Sequence, residues 1–366
     1  GVMRDISQTL KAAYNAQAVA LVPGGGTYAM EAVARQLAHD KTCLVIRNGW
    51  FSFRWSQIFE AGSIPASCTV LKAKPQSDAP HSPFAPAAID EVVNTILTEK
   101  PDLVFAPHVE TASGIMLPDA YIKAVGEAVH QVGGLFVLDC IASGTVWVDM
   151  EANQVDILIS APQKGWSASP CSALVMLGKE ARDRIEQTNS SSFACDLRKW
   201  LQIMEAYENG GHAYHATMPT DALLKFRDTM QETESYGFDK VKQEQLELGQ
   251  KVRQLLTDRG FKSVAAEGFQ APGVVVCYTD DPDIHNGRKF MEQGLQIAAG
   301  VPLQCDEPAD EHQQADPHDE RKCQPDPASA LLLVFGQLVR KDRDEDQVVD
   351  AQYDLERDEG QERQPC

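Results

Sequence analysis

The chain has 366 residues, 43% hydrophobic, with 53 acidic side chains against 33 Lys and Arg and a formal net charge of −20. That length allows two domains with a large buried core, and the negative balance argues against nucleic acid and anionic membrane surfaces as partners. The nine cysteines form no CxxC pair and leave an odd one over, the pattern of reduced thiols in a cytoplasmic protein with no expected metal site.

Taken in chain order, the opening Gly1-Val2-Met3-Arg4 carries no signal peptide, and its form suggests that the true start is missing. Short apolar runs predict strands over residues 19–22, 42–47, 69–72, 103–106, 135–138, 157–160 and 172–177. Helical patterns fill the gaps at 28–38, 88–99, 119–131 and 179–187. This alternation predicts a mostly parallel seven-stranded sheet covered on both faces, an α/β large domain over residues 1–235. A long helical stretch over 221–259, interrupted near Tyr236-Gly237, has the length of a spine between domains. A strand at 273–279 and a helix at 284–298 then begin a smaller C-terminal α/β domain over 236–305.

Residues 306–366 are different, with 18 acidic against 7 basic residues. They read as a disordered or non-native acidic tail in which only 328–339 is apolar enough to pack. No run anywhere approaches the roughly 20 apolar residues that span a bilayer.

Three stretches carry chemistry. Val22-Pro23-Gly24-Gly25-Gly26-Thr27-Tyr28 reads as strand, glycine turn and helix, where backbone can approach a phosphate at a helix N-terminus. Thr27 would cap that helix or offer its hydroxyl to the phosphate. The same residues fit GxGxxA, a dinucleotide fingerprint, with Arg47 near the position of an NADP-selecting residue, and also fit a plain tight turn. Asp139 ends one apolar run, and Lys164 lies just past the next, in Ser160-Ala161-Pro162-Gln163-Lys164-Gly165. If those runs are adjacent strands, acid and amine emerge at one sheet edge, where open α/β sheets bind ligands. A carboxylate for a pyridinium nitrogen and a lysine for a Schiff base are what pyridoxal 5′-phosphate requires, and a dinucleotide site needs neither. Singly, Asp139 also reads as a strand-end cap, Lys164 as an exposed lysine and Phe51 as core.

Together these residues resemble the class V aminotransferases of the fold-type I pyridoxal phosphate superfamily, in the alanine–glyoxylate and serine–pyruvate aminotransferase branch, from the first residues to about Asp306. Gly25-Gly26-Thr27 is similar to the family's phosphate loop. Asn48-Gly49-Trp50-Phe51-Ser52-Phe53-Arg54 resembles its NG-x-aromatic segment, which implies that Phe51 stacks on the cofactor ring. His108-Val109-Glu110-Thr111-Ala112-Ser113-Gly114 is similar to HxExxxG, with Thr111 approaching the ring oxygen. The resemblance makes Asp139 the pyridinium partner, Gln163 a phosphate ligand and Lys164 the Schiff-base lysine. Tyr214-His215-Ala216-Thr217 resembles the segment through which Tyr214 and Thr217 reach the neighbouring active site of a homodimer.

The resemblance implies ping-pong transfer of an amino group from a small amino acid, alanine or serine, to glyoxylate or pyruvate. Lys164 would move a proton as base and then acid, with Asp139 keeping the ring nitrogen protonated. Cysteine desulfurases share the fold but carry histidine before the lysine, where this chain has Gln163. Two departures stand out. The match begins inside an early helix, so the family's N-terminal arm is expected to be missing, and no FRIG-like segment after Asp306 supplies an arginine for the substrate carboxylate. Arg321, Arg340 and Arg343 lie in the wrong context, and an altered reading frame near Asp310 would account for the tail. A 2-aminoethylphosphonate-type transaminase and a catalytically impaired relic of the fold are the alternatives.

Overall fold

The computed structural model describes residues 1–305 and the backbone of 330–334. Seven strands form the central sheet: β1 (Ala18–Pro23), β2 (Thr42–Arg47), β3 (Ser67–Lys72), β4 (Leu103–Pro107), β5 (Leu135–Asp139), β6 (Ile157–Ser160) and β7 (Ser172–Leu177). Their spatial order is β1-β7-β6-β5-β4-β2-β3. Strand β7 pairs antiparallel with both neighbours, and the other pairings are parallel. All seven expected strands are present: six are largely buried and read as unbroken apolar runs, and β3 lies half-exposed at the sheet edge.

Alternate side chains of each strand feed two separate cores. Leu44, Ile46, Phe136 and Leu138 point into one, with Ile6, Leu10, Ile122 and Phe226 from the helices α1 (Val2–Tyr14), α5 (Asp119–Gln131) and α8 (Thr220–Tyr236). Cys43, Val45, Leu135 and Val137 point into the other, with Met30, Val33, Trp55, Phe59 and Trp200. Those come from α2 (Gly26–Leu37), α3 (Trp50–Gly62) and α7 (Leu197–Glu208); α4 (Ile89–Glu99) adds Val92 and Ile96 to the first core, and α6 (Lys179–Glu186) adds Ala181 and Ile185 to the second. Period-two alternation on the strands and apolar stripes on the helices thus produce helices on both faces of one sheet.

The long helical stretch is α8 followed by α9 (Phe238–Thr257), broken at Gly237, whose φ of 104° few side-chain-bearing residues adopt. Beyond it, β8 (Val274–Tyr278), β9 (Ala298–Ala299) and β10 (Ala330–Val334) form an antiparallel sheet in the order β8-β10-β9. The apolar stretch 328–339 therefore contributes a strand. The expected continuous helix at 284–298 is not found. Two four-residue turns, Pro282–His285 and Arg288–Met291, stand there instead. They are separated by Gly287 at φ 78°, which breaks the hydrogen-bond ladder that a continuous helix needs. The acidic segments 306–329 and 335–366, with Arg321, Arg340 and Arg343, lie outside the described residues. Among the described residues no helix is long and apolar enough to cross a membrane.

Candidate active site at the carboxyl edge of the sheet

Strands β1, β2, β4, β5 and β6 end at one edge, and the five connections that leave them carry the candidate residues. Asp139 is the last residue of β5, in register with Ile159 of β6 and Pro107 of β4. Lys164 sits on the turn after β6, closed by Ser167 N donating to Lys164 O at 3.0 Å. That turn packs against the loop following β5: a Cβ on Gly165 would lie 1.9 Å from Gly144 O, so only glycine fits. The glycine loop after β1 reaches the same place, since a Cβ on Gly26 would meet the Ile141 side chain at 2.5 Å. A Cβ on Gly25 would lie 3.7 Å from Gln163 Nε2.

Electrostatics follow from this packing. Burial pushes the Asp139 carboxyl up to about 7, and the nearby Glu110 adds to the rise. The Ile141 N–H, donating to Asp139 Oδ1 at 2.9 Å, and the charges of Arg54 and Lys164 pull the other way. Burial lowers the Lys164 ammonium, Arg54 lowers it further, and Asp139 opposes both. An acid short of donors and an amine biased toward its neutral form therefore share one edge, a combination typical of functional sites.

Around them the site is tightly held. Glu110 is fully buried and accepts from Phe51 N (3.1 Å), Ser52 N (2.9 Å), Ser52 Oγ (2.7 Å) and Ala112 N (3.1 Å). Two of those N–H groups belong to the first turn of α3, whose N-cap is Gly49 and lacks a side chain of its own, so an acid from a distant loop caps this helix. His108 donates its backbone N–H to Asp139 O at 2.8 Å, and its Nδ1 lies 2.7 Å from Ser143 Oγ. Burial drives that imidazole down to about 3, with Lys242 adding to the shift, so it serves as a neutral brace. Phe51 and Thr111 are both half-buried on these two connections.

Thr27 does not cap α2; the N-cap is Gly25, and the Thr27 hydroxyl accepts instead from Arg54 Nη1 at 3.0 Å. Arg54 also stands over the Phe51 ring, 5.2 Å from its centroid. The motifs contain Arg54, Glu110 and His108 but point to no task for them; a charged residue inside an otherwise apolar or small-residue motif is the signal that would have singled them out. Gly25, Gly26, Thr27, Phe51, Thr111, Asp139, Gln163 and Lys164 gather at this edge. Tyr214 and Thr217 do not join them within the protomer. Both are exposed, Tyr214 at 80%.

A sequence model described as "Aminotransferase class-V" matches residues 3–318. The chain belongs to the class V aminotransferase family. It is 27% identical over 268 residues to alanine–glyoxylate aminotransferase of Oryctolagus cuniculus, covering 71% of this chain and 64% of that one. It therefore spans less than two thirds of that relative's length. It is 26% identical over 305 residues to alanine–glyoxylate aminotransferase 1 of Saccharomyces cerevisiae, covering 77% and 73%. The solved alanine–glyoxylate aminotransferase of Nostoc sp. shares the fold, with a TM-score of 0.69 at 21% identity over 82% of this chain and 79% of that one.

Pyridoxal 5′-phosphate is the cofactor of this family, and the class V residues present here fit it. Gln163 Oε1 is buried without a hydrogen-bond partner among the described residues, and its amide faces the open side of Gly25. The free N–H groups at the start of α2 suit a phosphate, the under-donated Asp139 suits a protonated ring nitrogen, and a half-buried amine biased toward neutrality suits an aldehyde.

Proposed function

We propose that this chain is a pyridoxal phosphate-dependent aminotransferase that moves an amino group from a small amino acid, alanine or serine, to glyoxylate or pyruvate in two half-reactions. The observation that carries the reading is the convergence of Asp139 and Lys164 at one sheet edge beside a glycine loop and the unpaired Gln163 amide oxygen. The names of the alanine–glyoxylate relatives support alanine as the donor and glyoxylate as the acceptor.

The bound cofactor supplies a cationic ring that accepts the electron pair left when the substrate Cα loses its proton. Gly25, Gly26, Thr27 and Gln163 would hold the phosphate end, with Phe51 against the ring and Thr111 near its hydroxyl oxygen. Asp139 keeps the proton on the ring nitrogen through a charge-assisted bond, and that partner in turn keeps Asp139 ionised despite its burial. Lys164 Nζ would take the Cα proton and then deliver a proton to the cofactor's C4′, and its lowered proton affinity favours the neutral, basic form that the first task needs. Glu110 and His108 act at one remove, by fixing the turn that bears Phe51 and the backbone at Asp139.

The functional unit in this reading is a homodimer in which exposed Tyr214 and Thr217 reach the neighbouring subunit's phosphate site. Residues 1–235 form the cofactor domain, and 236–305 belong to the smaller domain, whose sheet is completed by residues 330–334. Cys43, Cys140, Cys171, Cys195 and Cys277 are free thiols, which supports a reducing, cytoplasmic setting. Mixing the cofactor-loaded chain with alanine or serine in the absence of acceptor tests the reading: the visible absorbance should bleach in one half-reaction and return on adding glyoxylate. An unchanged spectrum with every small amino acid would exclude it.

A further inference from the structure

The residues proposed to hold the phosphate, Gly25, Gly26, Thr27 and Gln163, together with Tyr214 and Thr217 from the neighbour, are all uncharged. A phosphate ester brings close to two negative charges at neutral pH, and taking such an anion out of water without a counter-charge is expensive. The start of α2 offers only about half a charge. Lys164 is committed to the aldehyde end, and Asp139 and Glu110 are acids.

One cation stands in the right place. Arg54 lies on the first turns of α3 and crosses to α2, where Nη1 donates to Thr27 Oγ1 at 3.0 Å. Its Cζ stands 5.2 Å from the centroid of Phe51. Hydroxyl and ring are both neutral, and among the described residues no carboxylate forms an ion pair with Arg54. Its charge nevertheless reaches the site, since both Asp139 and Lys164 feel it. A planar guanidinium with free donors, unpaired beside a helix N-terminus, matches the geometry of a phosphate.

We propose that Arg54 is the counter-charge of the phosphate: the guanidinium that bonds Thr27 also receives the cofactor's anionic end. This rests on the cofactor assignment made above. The competing role would be at the ring end, where Arg54 would act only through Asp139 and Lys164. Titrating the full chain with pyridoxal 5′-phosphate and with pyridoxal, which lacks the phosphate, separates the two. Arg54→Gln should weaken the phosphorylated compound about tenfold to a hundredfold and leave pyridoxal within about twofold, and Arg54→Lys should recover part of the loss. Equal weakening of both compounds, or unchanged binding of the phosphorylated one, would overturn the proposal.

A measurement on the unmutated chain guards against a variant that fails to fold. Pyridoxal 5′-phosphate and inorganic phosphate should each protect Arg54 from phenylglyoxal, read by peptide mass mapping, whereas pyridoxal should not. Absence of protection by the phosphorylated compound would overturn the proposal equally. A chain that binds neither pyridoxal compound would bring down the cofactor assignment itself, and Arg54's role with it.

Discussion

The carboxyl edge of the sheet and the segment around Tyr214 are built on opposite terms. At the edge, polar groups meet partners from distant parts of the chain: Glu110 bonds Phe51 and Ser52 across 59 and 58 positions, and Ser113 Oγ donates to Asn48 O at 2.8 Å. Around Tyr214, the tyrosine is 80% exposed and Phe193 is 79% exposed, steadied by His215 Nε2 lying 2.8 Å from Phe193 O. Large exposed aromatics are costly to leave in water and usually mark contact surfaces. The difference teaches that one protomer gathers the candidate residues of the sheet edge by itself, whereas the segment proposed to reach a neighbour is left exposed.

Substitutions on the two sides should differ accordingly. The largest effect belongs to Lys164→Ala, which removes the amine that acts on Asp139; turnover in the alanine–glyoxylate assay should fall by about 10⁴-fold or more, and a loss under tenfold would show that another group carries the proton. Glu110→Ala leaves three buried N–H groups without their acceptor. It should cost about 3 kcal/mol in urea unfolding, and a cost below about 1 kcal/mol would show that the loop relaxes freely.

Asp139→Asn acts through pH. The folded carboxyl is raised from 3.8 to about 7, so between those values the folded state holds a proton that the unfolded chain has released. Stability therefore falls as pH rises through that window, and the charge is destabilising above it. Without cofactor, the variant should be more stable than the parent at pH 8, by an amount on the order of 2 kcal/mol, and equal to it at pH 3.5. Equal stability at pH 8 would contradict the burial argument. Tyr214→Ala should change protomer stability least, by less than about 0.5 kcal/mol, while weakening cofactor retention. Unfolding as severe as that of Glu110→Ala would contradict the comparison.

What was legible in the sequence follows the same divide. The sheet and its two cores could be read because each strand is a continuous apolar run set off by polar or glycine turns, and Asp139 and Lys164 stood out because each ends or follows such a run. Helix α3 could not, since Trp50-Phe51-Ser52-Phe53-Arg54-Trp55 lacks a helical stripe and its N-terminus is capped by Glu110 from another connection. The role of Arg54 was hidden for a like reason: its hydroxyl partner, Thr27, lies 27 residues away. Residues 284–298 misled because their composition suits a helix, while Gly287 and Gly294 take left-handed φ values of 78° and 76°. Interactions that are local or periodic leave a pattern, and those made across the fold do not.

The central claim is that the amine of Lys164 is the group that meets the cofactor aldehyde. Borohydride reduction of the full chain with pyridoxal 5′-phosphate, followed by peptide mapping, tests it most directly. The account predicts a single stoichiometric pyridoxyl adduct on Lys164, lost in Lys164→Ala. Reduction onto any other lysine with Lys164 left unlabelled would contradict it.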